Sequence, residues 1–291
     1  MRKPVRQLLA AVFAVCCVIQ VWTLPGSASA TTTPPSCGAT VLKSNGTPWV
    51  CTFDDEFTGT SVDLSKWTVV STPESGYHSG AECMENSPTN VGEANGFLRL
   101  TVVQLNRAFT CKKPVGSYST RETSGMVTSN FSQMTGRFAV RALFPPTAIQ
   151  GLQSSLWLYP VNPAKYGKWP RSGEIDIAEW YSNHSTLAIP YLHYIPQGTD
   201  PNVTNTNCTI TPNVFHTYVV EWTTHTMTYI YDGTVCLTDT WKPGLGLTSP
   251  APFDQPFVFN LTQAIGVTRN GMTSRTPFPS STYIDYVRVW K

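Results

Sequence analysis

The chain has 291 residues, of which 41% are hydrophobic and 13% are charged, and its formal net charge at pH 7 is +2. Nucleic acids and anionic membranes attract strongly basic proteins, so a sparsely charged and nearly neutral chain argues against both as partners. The composition favours an uncharged substrate, and the length fits one large domain or two smaller ones.

The first predicted element is a secretory signal peptide. Basic residues open the chain, an apolar run extends from Leu8 to Val21, and small residues stand at Ala28 and Ala30. This layout predicts cleavage after Ala30 and an extracellular protein. A membrane anchor is the alternative, and the short, interrupted apolar run argues against it. Without residues 1–30, 17 Lys and Arg residues stand against 18 Asp and Glu residues.

Six cysteines follow the predicted signal peptide, and an even number in an exported chain favours disulfides. A zinc site is the alternative, but no C-x-x-C or clustered His/Cys spacing supports it. Many connectivities are open to six cysteines. Pairing of neighbours in the sequence would give three bonds, namely Cys37–Cys51, Cys83–Cys111 and Cys208–Cys236.

The rest of the chain predicts strands and no helix of ordinary length. Short runs of β-branched and aromatic residues alternate with clusters of Gly, Pro, Asn and Ser, and Asp232–Gly233 fits a hairpin turn. The closing run "TYIDYVRVW" alternates strictly between two faces. Many short strands separated by turns indicate a β-sandwich or barrel. We expect residues 31–46 to form a short flexible lead and residues 47–291 a single β-sandwich domain.

One stretch concentrates acidic residues, "WPRSGEIDIAEWYSNH" from Trp169 to His184. Glu174 and Asp176 are two residues apart, so a strand would place them on the same face. Strict alternation would then bury Glu179 without a partner, which is costly. A β-bulge near Ile177–Ala178 restores the parity and brings all three carboxylates to one face.

The bulge also turns the apolar side chains of the stretch inward, namely Ile175, Ile177 and Trp180. With one bulge, the Cα atoms of Glu174 and Glu179 are roughly 13 Å apart, and side chains leaning together would bring the carboxylates to about 5 Å, the spacing of a retaining glycosidase. A solvated acidic strand edge is the alternative.

Tryptophans near the acidic stretch favour the catalytic interpretation. Flat aromatic faces stack on the apolar C–H faces of sugar rings, and Trp157, Trp169 and Trp180 all lie near the acids in the sequence. Each tryptophan alone is more often a core residue. Together with the acids, the three indicate a carbohydrate cleft.

The chain resembles glycoside hydrolase family 16, and in particular its laminarinase-like branch. "GEIDIAE" matches the E-x-D-x-x-E signature of that branch. "FDDEFTGTSVDLSKW", "GRFAVRALFP", "LWLYP", "FHTYVVEW" and "DYVRVW" resemble its strands in the same order. The resemblance implies an all-β jelly-roll sandwich of the concanavalin A-like type, with a concave substrate cleft and a polysaccharide as its partner.

The resemblance also implies roles for single residues. Glu174 would be the nucleophile, Asp176 its helper and Glu179 the acid/base, with no cofactor in the chemistry. We expect six substrate-binding residues, namely Trp157, Trp169, Trp180, His193, Arg121 and Asn260. The family often carries a structural calcium beside the last strand, where Asp285 would contribute; solvation at a strand edge is the alternative for Asp285.

The sequence predicts a secreted, monomeric endo-β-glycanase with β-1,3-glucan as its substrate. One departure from the family, "NLTQAIGV" from Asn260 to Val267 in place of the usual "NLAVGG", puts the substrate in doubt. A β-galactan or another β-glycan therefore stays open, as does transglycosylation. The alternative of another class is a non-catalytic lectin, which has no need for two glutamates placed by a bulge.

Overall fold

The structure is a computed structural model that describes residues 35–291, which form one compact unit. The predicted signal peptide lies outside the described residues. The described part contains one helical turn, α1 (Thr72–Ser75), and two 3-10 turns, Ser182–His184 and Thr268–Asn270. Its strands, in chain order, are β1 (Cys51–Asp55), β2 (Trp67–Val69), β3 (Cys83–Met84), β4 (Val91–Ala94), β5 (Phe97–Lys112), β6 (Ser117–Gln133), β7 (Gly136–Leu143), β8 (Leu152–Pro160), β9 (Glu174–Tyr181), β10 (Ile189–His193), β11 (His216–Trp222), β12 (Met227–Tyr231), β13 (Thr234–Asp239), β14 (Phe257–Ile265) and β15 (Ser280–Trp290).

The strands form two layers that are antiparallel, apart from the short β3, which pairs with β6 in parallel. The cleft sheet has the order β10-β9-β8-β14-β6-β2. The outer sheet has the order β13-β12-β11-β7-β15-β5-β4, and β1 pairs with the second half of β15. The second half of β5 and the first half of β6 pair with each other and form a two-stranded ribbon that joins the two sheets.

The core lies between the sheets because each strand turns alternate apolar side chains toward the other layer. It is rich in aromatic residues from the outer sheet, such as Tyr218, Trp222 and Tyr229, which are buried together with the isoleucines of β9. The all-β sandwich predicted from the sequence is confirmed, and its cleft sheet presents the opposite face of β9 to solvent.

The three disulfides follow the pairing of sequence neighbours. Cys37–Cys51, Cys83–Cys111 and Cys208–Cys236 have Cα–Cα distances of 5.7, 5.8 and 5.7 Å, within the usual range for a disulfide. Among residues 35–291, no helix has the length and apolar character needed to cross a membrane.

The described part of the predicted lead, residues 35–46, contacts the sandwich. Cys37 is buried against Ala139, Val219 and Trp290 on the exterior of the outer sheet, and Val41 packs on the same cluster. The disulfide at Cys37 and this apolar contact fasten the segment to the sandwich. The ordered unit therefore begins before residue 47.

Candidate active site

The bulge predicted in β9 is present. Leu156 of β8 pairs with Ala178, and the next residue, Trp157, pairs with Asp176, so Ile177 is the extra residue of β9. The register with β10, on the other side of β9, shifts at the same place. Two residues of the bulged strand thus oppose one residue of each neighbour.

The bulge distributes the side chains of β9 between the two faces of the sheet as predicted from the sequence. Ile175, Ile177, Ala178 and Trp180 are all buried in the core. The three acidic side chains, Glu174, Asp176 and Glu179, line the cleft on the opposite face of the sheet. The prediction that three carboxyl groups share one face is confirmed.

A tyrosine of the outer sheet supports the bulge from within the core. The hydroxyl of Tyr231, on β12, donates a hydrogen bond of 2.7 Å to the carbonyl oxygen of Ile177. Tyr231 is buried, so this bond satisfies the carbonyl of the extra residue where water is absent. The bond ties the peptide that precedes Ala178 and Glu179 to the opposite layer of the sandwich.

Glu174 lies at the mouth of the cleft beneath an exposed tryptophan. Trp169 is 56% exposed, and its Nε1 donates a hydrogen bond of 2.9 Å to Glu174 Oε2. Burial, followed by the charge of Asp176, raises the pKa of Glu174 from 4.5 to about 8, and His193 and the Trp169 hydrogen bond oppose this rise. Trp169 therefore both offers a stacking surface and stabilises the ionised form of Glu174.

Asp176 is the most deeply buried of the three acids. It is 3% exposed, and burial followed by the charge of Glu179 raises its pKa well above 3.8. His193 Nε2 lies 2.9 Å from Asp176 Oδ2, although the angle is not that of a regular hydrogen bond. Burial lowers the pKa of His193 and raises that of Asp176, so it disfavours the charged form of both groups.

The ring of His193 is held between two aromatic side chains. Tyr191 stacks on it with a centroid distance of 4.0 Å, and Trp169 lies at 5.2 Å on a tilted plane. One ligand atom from each of Glu174, Asp176 and His193 lies within 4.8 Å of the other two, close enough to hold a metal ion. Such short distances also serve acid–base chemistry, because the charge on each group shifts the pKa of its neighbours.

Glu179 lies deeper along the cleft. Gln153 Nε2 donates a hydrogen bond of 3.1 Å to Glu179 Oε1. Burial raises the pKa of Glu179, while hydrogen bonds from Tyr181 and Gln153 and the nearby His193 oppose the rise. A raised pKa makes a carboxyl group better suited to general acid catalysis.

The three acids lie in a cleft of about 460 Å³. Trp157 forms part of its floor, with its Nε1 bonded to Thr262 and its ring stacked against Tyr77 at a centroid distance of 5.9 Å. Asn260 pairs with Trp157 across β14 and β8 and lines the same cleft. The structure thus brings Trp157, Asn260 and the acids together, and it places Trp169 and His193 beside Glu174.

Two predicted binding residues lie elsewhere. Trp180 is 1% exposed and stacks on Phe144 inside the core, because the bulge that turns Glu179 outward turns its neighbour inward. Arg121 lies on the ribbon of β5 and β6, where its Nε donates a hydrogen bond to Leu105, and it is not among the described residues that line the cleft. The expectation that Trp180 and Arg121 bind substrate is corrected.

Asp285 does not fit the expected role as a calcium ligand. Its Oδ2 accepts a hydrogen bond of 2.5 Å from Arg141 Nη1, so the carboxylate already has a cationic partner. The ion pair also replaces the simple solvation that was the alternative for Asp285.

Several cleft residues were missed in the sequence. Gln153, Ser155 and Tyr159 share the face of β8 with Trp157, and their spacing of two residues from it was the signal that could have identified them. Tyr77 comes from the loop after β2, and no sequence pattern places it over Trp157. Tyr191 stacks on His193. It lies two residues before His193 on β10, and this spacing was the signal that could have identified it.

The comparisons with known proteins agree with this fold and site. Residues 81–257 match the family model described as "Glycosyl hydrolases family 16". A cleft built on a concave β-sheet and lined by three carboxyl groups defines the class as that of a glycoside hydrolase. The chain belongs to glycosyl hydrolases family 16.

Relatives in this family act on different glycans. The chain is 28% identical over 248 residues to a keratan-sulfate endo-1,4-beta-galactosidase of Sphingobacterium multivorum, covering 82% of this chain and 54% of that protein. It is 27% identical over 269 residues to glucan endo-1,3-beta-glucosidase A1 of Niallia circulans, covering 82% of this chain and 37% of that protein. The chain therefore spans about half or less of the length of these two relatives.

The solved endo-beta-1,3-glucanase of Pyrococcus furiosus has the same fold. It superposes with a TM-score of 0.71 at 23% sequence identity, over 87% of this chain and 97% of that one. The jelly-roll sandwich predicted from the sequence is confirmed by this likeness.

Proposed function

We propose that the protein is an endo-acting, retaining β-glycanase that hydrolyses β-1,3-glucan. The observation that carries the proposal is the bulge at Ile177, which places Glu174, Asp176 and Glu179 on one face of β9. Retaining glycosidases use two such carboxyl groups, one as nucleophile and one as acid and then base. A binding protein gains nothing from this arrangement.

In the first step, Glu179 gives its proton to the glycosidic oxygen while Glu174 attacks the anomeric carbon. The raised pKa of Glu179 supports its role as the acid. In the second step, Glu179, now ionised, takes a proton from water, and the water displaces Glu174 from the sugar. Gln153 stays within hydrogen-bond reach of Glu179 and holds its carboxyl group in place.

Glu174 must be ionised to attack, although its surroundings raise its pKa to about 8. The charge of Asp176 is the second largest cause of that rise, and burial in turn raises the pKa of Asp176 well above its usual value. A protonated Asp176 no longer repels the negative charge of Glu174. The Trp169 Nε1 hydrogen bond stabilises that charge as well.

The substrate proposal rests on likeness and on the aromatic lining of the cleft. The relative in Niallia circulans is named as a 1,3-β-glucosidase, whereas the one in Sphingobacterium multivorum is named as a keratan-sulfate endo-galactosidase. The near-neutral charge of the chain favours a neutral glucan over a sulfated polymer. Trp157 and Trp169 supply flat faces for glucose rings.

The test is a panel of polymers with sizing of the products. We expect internal cleavage of β-1,3-glucan, seen as oligosaccharides of several lengths early in the reaction. Mixed-linkage glucan, agarose and desulfated keratan serve as the competing substrates. Release of monosaccharide alone, cleavage of a galactan with no cleavage of β-1,3-glucan, or longer products from transfer to a sugar acceptor would each contradict the proposal.

We also propose that the protein is exported. The sequence of residues 1–30 and the three disulfides support this, because disulfides persist in oxidising compartments. N-terminal sequencing of the protein secreted by an expression host should begin at Thr31.

A further inference from the structure

A pair of carboxyl groups, one of them buried and the other half-buried, lies outside the cleft, where the loop after β10 meets the edge of the outer sheet. Asp239 is the last residue of β13, the edge strand, and it points inward as Leu237 does. Its side chain is 2% exposed. Within residues 35–291, its Oδ2 has no hydrogen-bond partner.

Asp200 faces Asp239 from the loop. The two carboxyl groups are close enough to share a proton, and burial followed by the charge of Asp200 raises the pKa of Asp239 to about 7. Asp200 Oδ2 accepts a hydrogen bond from the hydroxyl of Tyr194, and its Oδ1 accepts one of 2.9 Å from the backbone nitrogen of Asn202. Both carboxylate oxygens of Asp200 thus accept a hydrogen bond from a neighbouring group.

Both carboxyl groups line a cavity of about 430 Å³ whose other walls are rich in oxygen. Amide and hydroxyl side chains surround it, namely those of Gln197, Thr199, Asn202, Thr238 and Thr240. Lys242 also lines the cavity, but among the described residues its ammonium group makes no ion pair with Asp200 or Asp239. Two neighbouring carboxylates therefore lack, in the described part of the chain, a protein cation that balances their charge.

We propose that Asp200 and Asp239 bind a divalent cation of the calcium type. Oxygen ligands from carboxylates, amides and hydroxyls suit a hard cation, and calcium accepts the irregular geometry that such a mixed set provides. None of the described residues that line the cavity is a His or a Cys, so the donor set does not suit zinc or copper. Asp239 lines this cavity, and its Oδ2, which has no hydrogen-bond partner among the described residues, is an oxygen that a bound cation would satisfy.

The pair of carboxyl groups could also serve two simpler roles, and each leads to a different outcome. An inward-pointing charge protects an edge strand from pairing with another chain, but one carboxyl group is enough for that. A shared proton would also join Asp200 to Asp239, and such a pair would be indifferent to calcium and to chelators. A bound cation instead stabilises the folded state by mass action.

A cation at this place would act on the loop that leaves the active site. Tyr194 follows His193 directly, and its hydroxyl contacts Asp200. The cation would join this loop to β13 and so fix the end of β10, outside the catalytic cleft and away from Asp285.

The test uses the whole protein after treatment with a chelator and gel filtration. Terbium, which replaces calcium at oxygen sites, should give saturable luminescence on excitation of tyrosine, and calcium should suppress it. Calcium at about one hundred times its Kd should raise Tm by roughly 5–10 °C. Asp239→Asn and Asp200→Asn should each abolish both responses.

Asp285→Asn is the matched control, because it removes a carboxylate at the position that the family implies for calcium. It should leave both responses intact. In calcium-free buffer, Asp239→Asn should have a Tm no lower than that of the wild type, because the substitution removes repulsion between two carboxylates. A Tm in that range shows that the variant folds, so that its loss of both responses reflects loss of the cation site. The proposal is overturned by a wild type indifferent to calcium, by responses that persist in both Asn variants, or by a response lost in Asp285→Asn.

Discussion

Glu174 and Glu179 differ in what their carboxyl groups contact, and this difference separates their proposed roles. Glu174 accepts a hydrogen bond from the exposed Trp169, which favours its ionised form. Glu179 lies deeper, bonded to the amide of Gln153, and burial favours its protonated form. Burial raises the pKa of both carboxyl groups, so their different contacts and positions in the cleft, and not opposite pKa shifts, separate the proposed nucleophile from the proposed acid.

Removing each glutamate should therefore produce a different defect. Glu179→Ala should lower polysaccharide cleavage by about a hundredfold to ten-thousandfold, because the leaving group receives no proton. It should still cleave an aryl oligosaccharide with a good leaving group, and azide should accelerate that turnover and yield a β-glycosyl azide. Glu174→Ala should be inactive on both substrates, and azide should yield at most an α-glycosyl azide. Proton NMR of the wild-type reaction should show the β-anomer first; early α-anomer would rule out the assigned roles.

The crowding of carboxyl groups should also cost stability at high pH. The native state holds the Glu174 proton up to about pH 8, whereas the unfolded chain releases it near 4.5. Between these values the native state binds more protons, so the free energy of unfolding falls as pH rises. Glu174→Gln should remove this loss and exceed wild-type stability by roughly 1–4 kcal/mol at about pH 9.

The comparison is made by urea denaturation across the pH range. The difference between Glu174→Gln and wild type should shrink toward zero near pH 4, where both side chains are neutral. Trp169→Phe is the control, because it removes the hydrogen bond that Trp169 donates to Glu174 and leaves the carboxyl group in place. A constant difference at every pH would show that charge is not its source.

Sequence reasoning identified the three acids because their spacing conflicts with strand parity, and only a bulge resolves that conflict. It failed for Trp180, which the same bulge sends into the core against Phe144. It failed for Arg121 because the direction in which the ribbon of β5 and β6 projects depends on the whole sandwich. The positions of residues that depend on a single strand could be predicted, and the positions that depend on packing between elements could not.

At the scale of elements, the bulge in β9 is the feature that turns a strand into a catalytic surface. An extra residue interrupts the ladder, and its carbonyl must find another partner. Tyr231, on β12 of the opposite sheet, supplies one. We infer that the hydroxyl of Tyr231 positions Glu179 by holding the peptide of Ile177, without touching the substrate.

Tyr231→Phe should leave the carbonyl of Ile177 without a partner and lower stability by about 1–3 kcal/mol. It should also lower kcat on β-1,3-glucan by roughly tenfold to a hundredfold, because a small misplacement of the acid costs much of the rate. Activity on the aryl substrate, which needs no acid, should fall far less. That split is a signature that general destabilisation does not produce.

Tyr229→Phe is the matched control for this prediction. Tyr229 is also buried on β12, and its hydroxyl donates a hydrogen bond of 3.3 Å to the carbonyl of Tyr191, on β10. Its loss should destabilise the protein without the selective loss of polysaccharide cleavage. Equal kinetic effects of Tyr231→Phe and Tyr229→Phe would refute the positioning role.

At the scale of the whole molecule, the segment before β1 is part of the folded unit. Cys37 is buried on the exterior of the outer sheet and bonded to Cys51, 14 residues on. Replacing both cysteines with alanine should cost about 2–4 kcal/mol, as expected for a bond closing a loop of this length. Thermal unfolding measures the loss, and kcat should stay unchanged because the bond lies on the face away from the cleft. A fall in kcat would show that this face is coupled to the site.

The position of β15 has a consequence for the order of events during synthesis. This strand lies inside the outer sheet, where it pairs with β7, β5 and β1, yet it is the last to be made of all the strands described. Until β15 is made, β1 and β5 have no strand that joins them to β7 in the outer sheet, and the sandwich cannot close. Contacts this distant in sequence form slowly. A sandwich that cannot close before β15 is made would keep the described part of the chain unfolded for most of its synthesis, and an unfolded chain can still pass through a membrane pore during the proposed export.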